Sequence, residues 1–222
     1  MKKLFFMALG LVLMAGAASA QYYQPGYHRP HRQQNTYDNN FRPTFTLIGG
    51  INISNVINSR NPDFSTDTKV GANVGVGFDL PVAYPLSITL EGLYSQKGYT
   101  AIVAGGQFKQ RNDFIDVPIL AKFHIIPGIN FLIGPQLSFL VSTTNSFNDG
   151  FQTEYEHYYN NSSNGYNKTM IDGVAGVSFD VGNNLEIRGR YTIDLNRIND
   201  NGDAYVPAYR NQAWQLGLGI RF

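Results

Sequence analysis

From residue 44 to residue 222 the chain repeats one pattern, and that pattern limits the folds open to it. Apolar and polar side chains alternate in eight stretches: 44–54, 70–80, 86–97, 114–125, 130–142, 170–181, 185–196 and 213–222. A period of two belongs to β-strands, because successive side chains leave a strand on opposite faces. The stretch 185–196 shows it most plainly. Leu185, Ile187, Tyr191, Ile193 and Leu195 alternate with Glu186, Arg188, Arg190, Thr192, Asp194 and Asn196. The links between stretches also alternate. Those at 81–85, 126–129 and 182–184 are short, whereas those at 55–69, 98–113, 143–169 and 197–212 are long. An even number of antiparallel strands with short turns at one end and long polar loops at the other is the asymmetry of transmembrane β-barrels. The expected fold is therefore all-β: an eight-stranded, antiparallel, up-and-down transmembrane barrel over residues 41–222.

Alternation alone does not say which face meets water, since a soluble ligand-carrying barrel alternates too, with its apolar face inward. Three features decide the direction. The polar faces are rich in Gly, Ser, Thr and Asn, which suit the crowded interior of an eight-strand barrel. The charges on those faces are mixed in sign: Glu91, Asp116, Lys122, Glu186, Arg188, Arg190, Asp194 and Arg221. Inside a narrow lumen they are expected to pair, because an isolated buried ion costs several kcal/mol. The aromatics of the apolar faces sort by height. Phe45, Phe78, Phe123, Phe131, Phe179 and Phe222 fall at the short-turn end, and Tyr94, Phe139 and Trp214 toward the long-loop end. Two aromatic girdles are what a pair of membrane interfaces favours. Phe131 and Phe139 are about 26 Å apart along a strand, roughly 20 Å in height at a ~40° tilt, against the ~25 Å apolar band of such barrels. Pro118 and Pro135 oppose the regular picture, and bulges or lost ladder bonds are expected at both.

The N-terminus reads as an export signal. Lys2 and Lys3 precede the apolar run 4–14, and small residues follow, with Ala18 and Ala20 placed for cleavage before Gln21. No cysteine follows to carry a lipid. Residues 21–40 are polar, aromatic and aperiodic, a flexible arm. The chain has net charge +1; Lys2 and Lys3 lie in the leader, so the remainder carries −1, with no pull toward nucleic acid. Cysteine is absent, which excludes disulfides and thiolate metal sites. His28 and His31 in the arm lack a third ligand, so neither metal nor cofactor is expected. No apolar run reaches the ~18–20 residues of a spanning helix.

The stretch Asp113-Phe114-Ile115-Asp116-Val117-Pro118-Ile119-Leu120-Ala121-Lys122-Phe123 resembles the acidic–apolar–Pro–apolar–apolar–x–Lys–aromatic strand of the PorT-like outer-membrane β-barrel family of Bacteroidota. The Gly-rich second strand and the last strand ending in Phe222 are similar to that family as well. The resemblance spans roughly residues 41–222 and implies an eight-stranded barrel in the lipid bilayer of the outer membrane, with Asp116, Pro118 and Lys122 in structural roles. It implies no single activity, because one barrel hosts many functions. The alternating Trp214, Leu216, Leu218, Ile220 and Phe222 resemble the terminal signal read by the barrel insertion machinery.

Residues able to carry chemistry are scarce. His124 is expected to be a hydrogen-bonded interior residue. His157, beside Glu154, Glu156, Ser162 and Ser163, is the candidate for a membrane-embedded hydrolase or acyl-chain enzyme, the main alternative reading. A secreted soluble barrel holding an apolar ligand is the other. The link 143–169 carries Phe151, Tyr155, Tyr158, Tyr159 and Tyr166 among Asn and Ser, a composition suited to adaptable surface recognition. The expectation is a small non-enzymatic outer-membrane protein that anchors exposed loops, for structure or for contact with a surface partner.

Overall fold

The computed structural model describes residues 41–58, 66–103, 106–148, 153–159, 168–197 and 209–222. The leader at 1–20 and the arm at 21–40 lie outside the described residues. Among the described residues there are nine strands: β1 (Thr44–Asn58), β2 (Thr66–Ala83), β3 (Leu86–Val103), β4 (Gly106–Ile126), β5 (Ile129–Asn148), β6 (Thr153–Tyr159), β7 (Thr169–Val181), β8 (Leu185–Asp194) and β9 (Tyr209–Arg221). Each pairs antiparallel with its neighbour in the order β4-β3-β2-β1-β9-β8-β7-β5, and the β4–β5 pairing closes the ring. The barrel thus has eight strands, as the alternation requires. The ninth, β6, pairs with β5 above the ring, Ser142 opposite Tyr159 through Asn148 opposite Thr153.

The short links are turns built by their residues. Pro127-Gly128 joins β4 to β5, with Gly128 at φ 81°, the Pro-then-Gly order of a type II turn. Gly182, between β7 and β8, also has positive φ, 65°, a conformation glycine adopts without steric cost.

The long links differ from the sequence expectation. Residues 98–113 form hardly any loop: β3 and β4 stay paired from Gly98 opposite Arg111 up to Val103 opposite Gly106. β1 and β2 likewise run into 55–69, and β5 runs into 143–169. These extensions were not legible because the apolar half of the alternation stops where lipid would stop. Beyond that height the outer face turns polar while the inner face packs Val56, Tyr99 and Tyr209, so the lipid-facing period-two contrast is lost while the backbone pairing continues.

The prolines are absorbed without a shift in register. The β3–β4 ladder runs from Leu93 opposite Asp116 to Leu90 opposite Ile119, with no pairing at Val117 and Pro118. The β4–β5 ladder skips Gly134 and Pro135 in the same way. Ladder bonds are lost there, and the bulges sit elsewhere, at Asp113/Phe114 and His124/Ile126.

Burial is inverted relative to a water-soluble protein. The outer wall exposes Leu47, Ile88, Ile119, Ile133, Val177 and Ile187, with Leu216 47% and Leu218 52% exposed. The lumen buries Glu91, Asp116, Lys122, Glu186 and Arg190. A carrier with an apolar lumen is the reverse of this arrangement. Leu218 lies midway between Trp214 and Phe222 on β9. Leu218→Arg is expected to destabilise the barrel by about 2–4 kcal/mol, the cost of a cation at the bilayer midplane, measured by denaturant titration in lipid vesicles.

Candidate functional site

The inward row of β4 sets out the lumen in layers. Ascending from the short-turn end, it presents His124, Lys122, Leu120, Pro118, Asp116 and Phe114, all buried. Alternating strand geometry puts every second residue on this row, and the neighbouring strands supply partners at each level.

At the lowest level His124 Nε2 lies 2.9 Å from the Ser87 hydroxyl. Arg221 Nη1 meets Asp180 Oδ1 at 3.0 Å. Lys122 Nζ then donates to Asp79 Oδ2 and Glu186 Oε2, both at 2.9 Å. Glu186 Oε1 accepts from Arg188 Nη2 at 2.8 Å, and the same nitrogen donates to Glu91 Oε1 at 3.0 Å. Arg190 grips Glu91 through two bonds, Nη1 to Oε2 at 2.6 Å and Nη2 to Oε1 at 2.5 Å. Bidentate guanidinium–carboxylate pairs are among the stronger charged hydrogen bonds. Asp79, Lys122, Glu186, Arg188, Glu91 and Arg190 therefore form one chain of alternating sign, three acids against three cations.

A second charged group lies above Leu120, which packs with Leu132 and Val174. Lys97 Nζ sits 3.1 Å from Asp116 Oδ2 and 3.4 Å from Asp172 Oδ2. Asp172 Oδ2 also accepts from Ser138 at 2.5 Å and Gln136 at 2.7 Å. Asp194 is the cross-strand neighbour of Asp172 and accepts from the backbone and side-chain nitrogens of Asn211 at 2.9 and 2.8 Å. Here one cation faces three acids, so the lumen is not uniformly charge-balanced. Lys97 Nζ also lies 4.9 Å from the centre of the Phe114 ring, within cation–π range.

Above this level the inward side chains turn apolar. Val56, Tyr99, Phe114, Leu140, Met170 and Tyr209 form a buried cluster with Phe108 packed against it. The Tyr209 hydroxyl donates to Gln110 Oε1. The sequence reading did not place apolar residues in the lumen. It also missed Lys97, Asp172, Asp79 and Asp180. Stepping by two from Glu91 reaches Lys97, so the face was readable, but its partners come from β4 and β7 and need the register.

On the outer wall, Phe45 stands opposite Phe78 and its ring lies 6.4 Å from that of Phe222. Phe123 is opposite Phe131, and Phe179 opposite Ile129; all six of these aromatics lie at the short-turn end. Toward the other end, Tyr94 stands opposite Ile115 and Ile115 opposite Phe139. Trp214, 58% exposed, stacks 5.0 Å from Tyr191. Leu216, Leu218, Ile220 and Phe222 continue down β9 on the exposed face.

In the 143–169 stretch, Tyr155 is exposed on β6, and Tyr158 and Tyr159 close that strand. Phe151 and Tyr166 lie outside the described residues. His157 Nδ1 sits 2.7 Å from the Thr144 hydroxyl across the β5–β6 ladder. Glu154 and Glu156 alternate away from it on β6, and Ser162 and Ser163 lie outside the described residues.

Lys97 supports two carboxylates at once. Lys97→Met is expected to destabilise the barrel by about 3–5 kcal/mol, the cost of stranding a buried charge. Adding Asp172→Asn should recover part of that loss. Urea titration of the single and double variants in vesicles measures both.

Residues 33–200, about three quarters of the chain, match the family model described as outer membrane protein beta-barrel domain. No curated relative matches the sequence. Among solved structures, Neisserial surface protein A is similar at 14% identity and TM-score 0.46, covering 80% of this chain and 97% of its own. Ail, the attachment invasion locus protein of Yersinia pestis, is similar at 17% identity and TM-score 0.44, covering 81% and 98%. OprG of Pseudomonas aeruginosa is similar at 11% identity and TM-score 0.37, covering 81% and 95%. With its closed eight-strand ring, its apolar wall and a family model matched over most of its length, this chain belongs to the outer membrane protein beta-barrel domain family.

Proposed function

We propose that this protein is a sealed, non-enzymatic barrel of the outer membrane whose work is done by the strands and loops that rise beyond the lipid. The filled lumen carries the reading. A continuous ion-paired chain occupies the lower barrel, and the Tyr99–Phe114–Met170–Tyr209 layer crosses the upper barrel. A cavity of about 10 Å³ beside Ile48, Asn73, Leu93 and Arg190 is at the lower limit for one water molecule. Among the described residues this packing favours a barrel without a solute path or an apolar-ligand chamber. Against the hydrolase alternative, the β6 residues on the same face as His157 are Thr153 and Tyr155, while Glu154 and Glu156 alternate to the other.

Several parts of the reading rest on the sequence. Residues 1–20 act as a cleaved export signal and 21–40 as an arm ahead of the barrel. Trp214, Leu216, Leu218, Ile220 and Phe222 are presented to the barrel insertion machinery. The PorT-like character is carried by Asp116, Pro118 and Lys122, which face the lumen as an ion-pair partner of Lys97, the site of a ladder gap, and the link between Asp79 and Glu186. The 143–169 stretch, stiffened by the β5–β6 pairing, offers its tyrosines to a surface partner.

Single-channel recording of the purified protein in planar bilayers tests the seal. No conductance steps are expected, and steady steps at neutral pH would overturn the proposal. Surface biotinylation of whole cells, with a cysteine placed at Thr153, tests the orientation; labelling is expected, and protection would place the long-loop end inside the envelope.

A further inference from the structure

A feature outside the lumen remains unused by this function. A groove of about 280 Å³ crosses the wall where β4, β5 and β6 extend past the apolar belt, and Lys69, Lys109, Arg111, Ser146 and Tyr155 help to line it. Gln110 and Asn112 are buried in the lumen, so Lys109 and Arg111 face outward. Across the ladder Arg111 is opposite Thr144, Lys109 is opposite Ser146, and Ser146 is opposite Tyr155 on β6. Lys69 joins them from β2 by donating from Nζ to the Gln110 carbonyl at 3.1 Å.

Charge in the groove is one-sided. Three cations converge, and among the described residues one carboxylate pairs with them: Asp113 Oδ1, 3.4 Å from Arg111 Nε. Lys109 is exposed and makes no ion pair among the described residues. The lumen matches nearly every cation to an acid, and the groove does not. Like charges held together repel, and a polyvalent anion relieves that repulsion while using the paired donors.

Height selects the kind of anion. Val141 is the last exposed apolar residue of β5, and Thr144, opposite Arg111, comes three residues later. Three residues of strand are about 10 Å, or roughly 7 Å in height at a ~40° tilt. The headgroup layer on each side of the hydrocarbon is about 5–8 Å deep. Arg111 therefore stands at the level of lipid phosphates, on the wall that faces lipid, with Lys109 one step higher.

We propose that this groove binds the phosphate of an outer-leaflet lipid headgroup, with Lys69, Lys109 and Arg111 as the phosphate ligands and the hydroxyls of Ser146 and Tyr155 beside them. The site rests on the outward orientation proposed above only for which leaflet supplies the lipid; the binding itself does not.

Titration of the full-length protein in neutral-detergent micelles, where there is no inside or outside, separates the two. The probes are a bis-phosphorylated diglucosamine lipid, the same lipid with its phosphates removed, and inorganic phosphate, each read by native mass spectrometry. The phosphorylated lipid is expected to bind at least about tenfold more tightly than the dephosphorylated one, the scale of one charge-assisted bond. K69Q/K109Q/R111Q is expected to abolish that preference. R42Q, which removes an exposed cation at the short-turn end, is expected to leave it intact. Heat-modifiable gel migration verifies that each variant is folded. Equal binding of the two lipids, equal loss in R42Q, or full displacement by inorganic phosphate alone would overturn the proposal, the last by making the ligand a free anion. Failure of the surface-labelling test with this binding retained would sink the orientation and leave the groove standing.

Discussion

Closure of the hydrogen-bonded ring is the constraint on which the rest of this structure depends. Within hydrocarbon no water is available to satisfy a backbone N–H or C=O, so a sheet that crosses lipid must have no edge. Here the closing contacts join β4 to β5 and β1 to β9. The chain accepts ladder gaps beside Pro118 and Pro135 without changing register. A slip by one residue would be far costlier. It would turn every lipid-facing Leu and Ile into the lumen and every lumen Arg and Glu into lipid.

That same inversion makes the lumen a problem of electrostatics. Ions taken from water are stabilised only when partners and donors surround them. The lower chain from Asp79 to Arg190 meets this by strict alternation of sign, each inner group held between two partners of opposite charge. The Lys97 group meets it differently, with neutral donors from Ser138, Gln136 and Asn211 standing in for missing cations. The apolar layer of Tyr99, Phe114, Met170 and Tyr209 caps both groups. Its apolar side chains lie on the long-loop side of the buried ion pairs.

Beyond the belt the rules change. The upper β3–β4 pairing and the β5–β6 pairing rise past the hydrocarbon, and their outer faces carry Lys, Arg, Ser and Thr in place of Leu and Phe. The eight crossings were legible because lipid demands an unbroken apolar face, and Leu185 to Leu195 shows that demand residue by residue. The extensions were not, since residues 98–113 read as a polar loop when only one side of the alternation is visible. Lys97 lay on the correct face of its strand in the sequence, but its meeting with Asp116 and Asp172 joins three strands. Phe114 shows the opposite failure: an aromatic in a spanning strand, assigned to no face, that points into the lumen because it continues the inward row of Lys122, Leu120 and Asp116 on β4.

The sequence by itself determined the strand count, the crossing segments and which face of each meets lipid, because these follow from side-chain period and the solvent on either side. The tertiary structure alone decided which charges meet, that an apolar layer lies in the upper lumen, and that three cations from β2 and β4 converge on one groove. Those outcomes depend on how eight strands are staggered around a closed ring. Stagger is a relation between segments distant in the chain, and no local pattern of residues records it.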